Sequence, residues 1–223
     1  MSDKITESYR QSKNIYDDVL TQSKWWSRLY IKLLWGGVDD NDIAKEVLKY
    51  IPDDFAGKLL DVPVGTAVFT YRKYAEMKRA DITCLDYSTD MLEQAKDKFE
   101  ECNIKNITAL LGDVGALPFE DDAFDIILSM NGFHAFPDKE KAYKEINRVL
   151  KKGGKFIACF YIQGKSKITD FLVKRVLAKK GWFTPPFETA LSLRERLDRN
   201  YRIRNFHVRG SIVWFCALKK ILL

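Results

Sequence analysis

The chain has 223 residues, 46% of them hydrophobic and 30% charged, which suits one large domain with a packed core rather than a disordered or fibrous chain. No apolar run approaches the roughly 20 residues that cross a bilayer, and the first residues lack the apolar stretch of a secretion signal, so a cytoplasmic protein is expected. The net charge of +6 is uneven: residues 1–150 carry 20 Lys/Arg against 27 Asp/Glu, and residues 151–223 carry 17 against 4.

Residues 1–40 read as an N-terminal helical cap outside any sheet. Ile15 and Val19 share a face, Trp26, Leu29, Tyr30, Leu33 and Leu34 follow helical spacing, and Gly36-Gly37 stops the helix. That stripe reads more simply as a packing face than as a cofactor box. From residue 41 a short helix with Ile43, Val47 and Leu48 leads into alternating strands and helices, read as one domain over 41–223. Lys58–Val64 is strand one and Phe69–Lys78 the first crossover helix. Asp81–Asp86 is strand two, after which Ser88 caps a helix with Met91, Leu92, Ala95 and Phe99 on its inner face. Ile107–Leu111 and Phe124–Met130 are strands three and four. A helix then starts at Pro137-Asp138 and ends at Lys151-Lys152 with Gly153 as its left-handed cap; Lys155–Tyr161 is strand five.

Residues 162–191 interrupt the pattern with a basic helix and the loop Gly181-Trp182-Phe183-Thr184-Pro185-Pro186-Phe187, an insertion placed to cap the site. A helix from Ser192 to Asn200 precedes a hairpin, Tyr201–Val208 and Ser211–Lys219, that turns at Arg209-Gly210 with a slip near Asn205-Phe206. Strands alternating with helices give an α/β sheet with right-handed crossovers. Four widely separated cysteines form no CxxC pair, and Cys84, Cys159 and Cys216 sit in apolar runs, so no metal site is expected.

Three strand ends carry an aspartate: Asp61, Asp86 and Asp113, spaced by 25 and 27 residues. In a doubly wound sheet these ends share one rim, where ligands bind. Three acids there suit a nucleoside with hydroxyls and amino groups to hold. Gly65 lets a ligand approach the backbone after strand one. Asp61 can orient that loop or reach a ligand's ammonium through water. Asp86 can accept from both ribose hydroxyls, or simply favour the following helix dipole. Asp113 and the Val114 N–H can pair with an adenine edge, or form a surface turn. Met91 can cover the adenine face or belong to the core. A dinucleotide fingerprint would need glycines where Pro63 and Val68 stand, which argues against NAD.

The run Gly112-Asp113-Val114-Gly115-Ala116-Leu117-Pro118-Phe119 to Asp125, together with Asp86-Tyr87-Ser88-Thr89-Asp90-Met91-Leu92 and Glu145 to Gly154, resembles motifs of class I S-adenosylmethionine-dependent methyltransferases. The group most similar is the one of quinone-biosynthesis and other small-molecule methyltransferases, over roughly residues 40–161. The resemblance implies a Rossmann-like fold: a doubly wound, mostly parallel seven-stranded sheet. It implies S-adenosyl-L-methionine as cofactor, bound by Asp61, Gly65, Thr66, Asp86, Tyr87, Met91, Asp113, Val114 and Asn131. The family's glycine-rich turn reads D-x-G-x-G-x-G, and here Pro63 and Ala67 take the outer glycine positions.

Methyl transfer is an in-line displacement that needs alignment more than a universal catalytic residue. If the acceptor must lose a proton, the loop Ser129-Met130-Asn131-Gly132-Phe133-His134 offers His134 as base, against a structural role for the same residue. His207, in the terminal hairpin, reads as structural. The acceptor is expected to be a small molecule, with the basic C-terminal part open to an anionic or lipid-like one and with no nucleic-acid-binding module in view. The helix Phe171 to Lys180 could meet a lipid surface or an acidic metabolite, or serve as an ordinary cap. A catalytically silent adenosyl-ligand binder is the second reading, motivated by Pro63 and Ala67, and an NAD-dependent reductase the third.

Overall fold

The computed structural model describes residues 39–221. The helical stripe expected within residues 1–40 therefore lies outside the described residues, apart from its last two positions.

Helix α1 (Asp40–Leu48) opens with Asp39 as its cap, the side chain accepting from the Asn41 N–H at 2.9 Å. Strand β1 (Lys58–Asp61), helix α2 (Tyr71–Glu76), strand β2 (Asp81–Asp86), helix α3 (Thr89–Glu101) and strand β3 (Ile107–Leu111) follow. Strand β4 (Phe124–Met130), helix α4 (Lys139–Val149) and strand β5 (Leu150–Tyr161) complete the parallel part. Helix α5 (Lys167–Leu172) runs on into a π-helical turn over Val173–Leu177, where the Ala178 N–H reaches back to the Val173 carbonyl. Helix α6 (Ala190–Asn200) leads to the antiparallel pair β6 (Tyr201–Arg209) and β7 (Ile212–Lys219).

The seven strands form one sheet in the order β3-β2-β1-β4-β5-β7-β6, parallel from β3 to β5 and antiparallel beyond. Successive strand residues point to opposite faces. Leu59, Ile126, Leu128 and Ile157 join the core on the α1 and α3 side, while Leu60, Ile127, Phe156 and Ala158 join the core on the α4 and α6 side. Covering on both faces explains why the central strands read as unbroken apolar runs. Caps set the helix starts: Ser88 Oγ accepts from the Met91 N–H, Asp138 from the Lys141 N–H, and Thr189 and Ser192 bond reciprocally. No helix among the described residues is long and apolar enough to cross a membrane.

Several boundaries differ from the sequence expectation. β1 ends at Asp61 rather than Val64, because Pro63 brings no N–H and the chain turns there. α2 is shorter than Phe69–Lys78, the first residues after the turn forming tight loops on Ala67 instead. α4 ends at Val149 with Leu150 already extended, so Gly153 does not cap it. Gly153 instead lies in a bulge of β5, at φ +76°, where the β4 partner shifts from Leu150 to Lys155. A Cβ on neighbouring Gly154 would come within 2.9 Å of the Asp125 carbonyl, so that bulge requires a glycine. α6 begins at Ala190, two residues early, on its Thr189 cap. The hairpin slip falls between Ile203 and Asn205, just ahead of the expected place.

Candidate active site

The carboxyl ends of β1, β2 and β4 meet where the strand order reverses, the place at which doubly wound sheets bind ligands. Three backbone contacts tie the loops along this rim together. The Val64 N–H donates to the Leu85 carbonyl at 3.0 Å, the Gly112 N–H to the Asp86 carbonyl at 2.9 Å, and the Val62 N–H to the Leu128 carbonyl at 2.9 Å. Asp61, Asp86 and Asp113 therefore stand on one side of the molecule, on loops that touch.

Asp61 is only 1% exposed, and the Tyr74 hydroxyl of α2 donates to its Oδ2 at 2.8 Å. Burial lifts its pKa to about 7, the Tyr74 bond opposing the shift and the nearby Asp86 charge adding to it. Its Oδ1 is buried with no hydrogen-bond partner among the described residues, although the Thr70 hydroxyl approaches the carboxyl. Asp86 is also buried, and burial raises its pKa against the bonds it accepts from the backbone N–H groups of Ser88 and Gly65, each at 2.8 Å.

Gly65 holds φ +56°, and the space where a Cβ would project is open to 4 Å. Thr66 is buried beside it, and Ala67 takes a left-handed φ of +55° normally left to glycine. On the far side of β2, Tyr87 is half exposed and Met91 buried. Asp113 is exposed, its Oδ1 accepting from the Gly115 N–H at 2.7 Å; Val114 is buried in the core against the α4 side. Arg148 braces this loop by donating to the carbonyls of Leu117 and Phe119 while pairing with Glu145 and Asp121.

The loop after β4 begins at Asn131, at φ +56°, its N–H donating to the Cys159 carbonyl at 2.8 Å. Gly132 accepts no larger residue: a Cβ there would strike the Pro63 ring, Phe136 Cζ at 2.6 Å and Ser129 Oγ at 2.9 Å. The Ser129 hydroxyl is fully buried and without a partner among the described residues.

His134 is buried and stacks on Phe183 of the 162–191 segment, centroids 4.2 Å apart at 12°. Its Nδ1 accepts from the Tyr161 N–H at 3.3 Å, and burial together with the Lys139 charge depresses its pKa to about 3. A base is most effective with a pKa near the working pH, so this setting differs from that of the expected proton acceptor. It suits a histidine that anchors the cap. The same segment is pinned by the Thr184 N–H on the His134 carbonyl at 2.8 Å, by Thr184 Oγ1 on the Ala135 carbonyl at 3.1 Å, and by the buried Lys139 ammonium on the Thr184 carbonyl. Desolvation pulls the Lys139 pKa down to about 8, opposed by Glu188.

Residues 60–158 match the family model described as a methyltransferase domain. Over these residues the chain resembles a methyltransferase domain. Over 114 residues it is 40% identical to a demethylmenaquinone methyltransferase from Staphylococcus haemolyticus, an alignment covering 51% of this chain and 47% of that protein. The chain thus spans about half the length of the relatives it matches. The fold resembles a S-adenosylmethionine-dependent methyltransferase from Aquifex aeolicus at a TM-score of 0.61, with 18% identity over 79% of this chain and 89% of that one. It also resembles a putative methyltransferase from Bacillus halodurans at 0.69, with 15% identity over 81% and 100%. These two likenesses carry the Rossmann-like methyltransferase fold.

The residues along this rim fit the cofactor that such a domain implies. The orphaned Asp61 Oδ1 faces a need for a donor such as an ammonium, Gly65 leaves room at the turn, and Asp86 supplies an acceptor for hydroxyls. Three neighbours of the site were not singled out in the sequence. Tyr74 lies 13 residues after Asp61 and shows itself only once α2 folds back over β1; Ser129 and Lys139 are ordinary until burial makes them count.

Proposed function

We propose that the chain is an S-adenosylmethionine-dependent methyltransferase acting on a small molecule. The observation that carries this reading is the buried Asp61–Asp86 pair at the switch point of a methyltransferase domain, with one Asp61 oxygen left unpartnered. When bound, S-adenosylmethionine supplies a methyl group on a sulfonium centre. Asp61 and the turn at Gly65 hold the amino-acid end, with Thr66 closing that side. Asp86 holds the sugar hydroxyls beside Tyr87. Met91, Asp113 and Val114 frame the base, and Asn131 shapes the floor after β4. The backbone ties along the rim fix these groups relative to one another, which is the alignment that an in-line displacement requires.

The acceptor enters from the side of residues 162–191. Phe183 and Phe187 pack on Tyr161 there as a buried aromatic wall, ring centroids 5.4–5.6 Å from Tyr161. That wall, and the relative named for a demethylmenaquinone, favour a planar, lipid-like acceptor of the quinone kind. His134 serves as the anchor of this wall, so proton removal from the acceptor does not depend on it.

The test is calorimetry with S-adenosylmethionine and S-adenosylhomocysteine, followed by transfer of labelled methyl to quinone-type acceptors. Micromolar binding is expected, with a loss of at least about tenfold in Asp86→Ala, which forfeits a charge-assisted acceptor. Absence of binding by either ligand overturns the reading; binding without transfer to any acceptor favours a silent ligand-binding protein.

A further inference from the structure

The helical segment that follows β5 shows an unusual outer face. Thr169, Val173 and Leu177 recur every four residues and are buried, so they define its inner side. Its outer side carries Lys167, Ile168, Phe171, Lys174 and Arg175, all exposed. Ile168 is 66% exposed and Phe171 61%, one helical turn apart. Large apolar side chains scattered singly on a surface need no explanation. Two neighbours projecting from one helical face, set among cations, do.

The charge around them has one sign. Residues 162–191 hold six basic residues, Lys165, Lys167, Lys174, Arg175, Lys179 and Lys180, and every one is exposed. None is ion-paired among the described residues; Lys180 lies over the Trp182 ring at 5.0 Å. The two acids of the segment are already engaged. Asp170 accepts from the Tyr161 hydroxyl at 2.6 Å and the Gly164 N–H at 2.9 Å, and Glu188 pairs with Arg196 at 2.7 Å. The outward field of this segment is therefore positive and uncompensated.

We propose that Ile168 and Phe171, ringed by Lys167, Lys174 and Arg175, dock the protein on an anionic lipid surface. A protruding apolar pair enters a deformable medium without needing a matching pocket, while the cations meet the lipid headgroups. An acidic protein would satisfy the charges but would need a cavity for the two side chains. The docking face adjoins the rim, because Asp170 is bonded to Tyr161 at the carboxyl end of β5. An acceptor dissolved in the bilayer would thus meet the protein at the aromatic wall. The docking itself does not depend on the proposed reaction.

The experiment is co-sedimentation of the full chain with phosphatidylcholine vesicles, with and without about one third phosphatidylglycerol. Pelleting is expected with the anionic vesicles only, and it should weaken as salt rises from about 0.1 M to about 0.5 M. Ile168→Ser with Phe171→Ser should lower partitioning by about tenfold or more, and Lys174→Glu with Arg175→Glu should do likewise. Both pairs should keep the melting temperature and the affinity for S-adenosylhomocysteine of the parent, since these side chains face away from the core. Failure to pellet with anionic vesicles overturns the proposal, as does undiminished pelleting by both double variants. Binding to soluble polyglutamate in place of vesicles assigns the face to an acidic protein and overturns it too. Absent S-adenosylhomocysteine binding would strike only the methyltransferase reading, so the two failures are distinguishable.

Discussion

The Tyr74 hydroxyl reaches back over 13 residues to donate a 2.8 Å hydrogen bond to Asp61 Oδ2, and both groups are buried. This bond is what Asp61 has in place of water. Tyr74→Phe removes it and leaves a second orphaned carboxyl oxygen, at a cost of about 1–3 kcal/mol. The loss should be larger at pH 8 than at pH 5, because an ionised acceptor is the stronger one. Thermal melts at the two pH values check this; equal losses would refute it.

Asp61 also sets a pH dependence. Its folded pKa, raised to about 7 by burial, exceeds the ordinary carboxylate value of 3.8. Between those values the folded chain holds a proton that the unfolded chain has released, so this group's contribution is fullest below about pH 4 and declines as pH rises to about 7. Asp61→Asn, which keeps an acceptor for Tyr74 and carries no charge, should therefore gain stability over the parent from about pH 5 upward, by several degrees at pH 8. The two melting curves should converge near pH 4. Binding of S-adenosylmethionine, whose ammonium favours the ionised acid, should release protons near pH 6. Calorimetry in buffers of different ionisation enthalpy would reveal them.

Pro63 and Gly132 face each other so closely that a methyl on Gly132 would strike the proline ring. Gly132→Ala should cost about 1–3 kcal/mol by overpacking. Adding Pro63→Gly should recover part of that, the remainder being the contact with Phe136. A double-mutant cycle by chemical denaturation measures the coupling, and strict additivity would contradict the packing.

For His134 the discriminating variant is Asn, which can still accept from the Tyr161 N–H. As an anchor, His134→Asn should leave kcat within about threefold and raise the acceptor KM, with a lower melting temperature from the lost Phe183 stack. A general base would instead show a fall of about 100-fold or more in kcat.

Much of this molecule is visible in its residues. β2, β3 and β4 end where the apolar runs end, and Ser88 and Asp138 mark their helix starts correctly, because capping chemistry is local. The hairpin turn falls one residue later than expected, at Gly210-Ser211, with Arg209 still paired to Ile212. Gly153 deceived the reading for a physical reason. A glycine at positive φ ends a helix or breaks a strand with equal ease, and only the pairing with β4 decides. The three acids on one rim were legible from spacing, whereas the long-range partners that give them their chemistry were not. Tyr74 over Asp61, the Gly65 N–H on Asp86 and Phe183 over His134 join residues whose separation in sequence carries no local signal. Residue type located His134, but burial decided its protonation.

Asp86 receives one backbone N–H on each oxygen before any ligand arrives, and each oxygen keeps a further lone pair. Its carboxylate is thus immobilised when the chain folds, so in the proposed role gripping a sugar would freeze no additional torsions. The same clamp makes the turn at Gly65 and the carboxylate a single rigid jaw. Anything that shifts β1 against β2 would then disturb both halves of the proposed nucleoside grip at once.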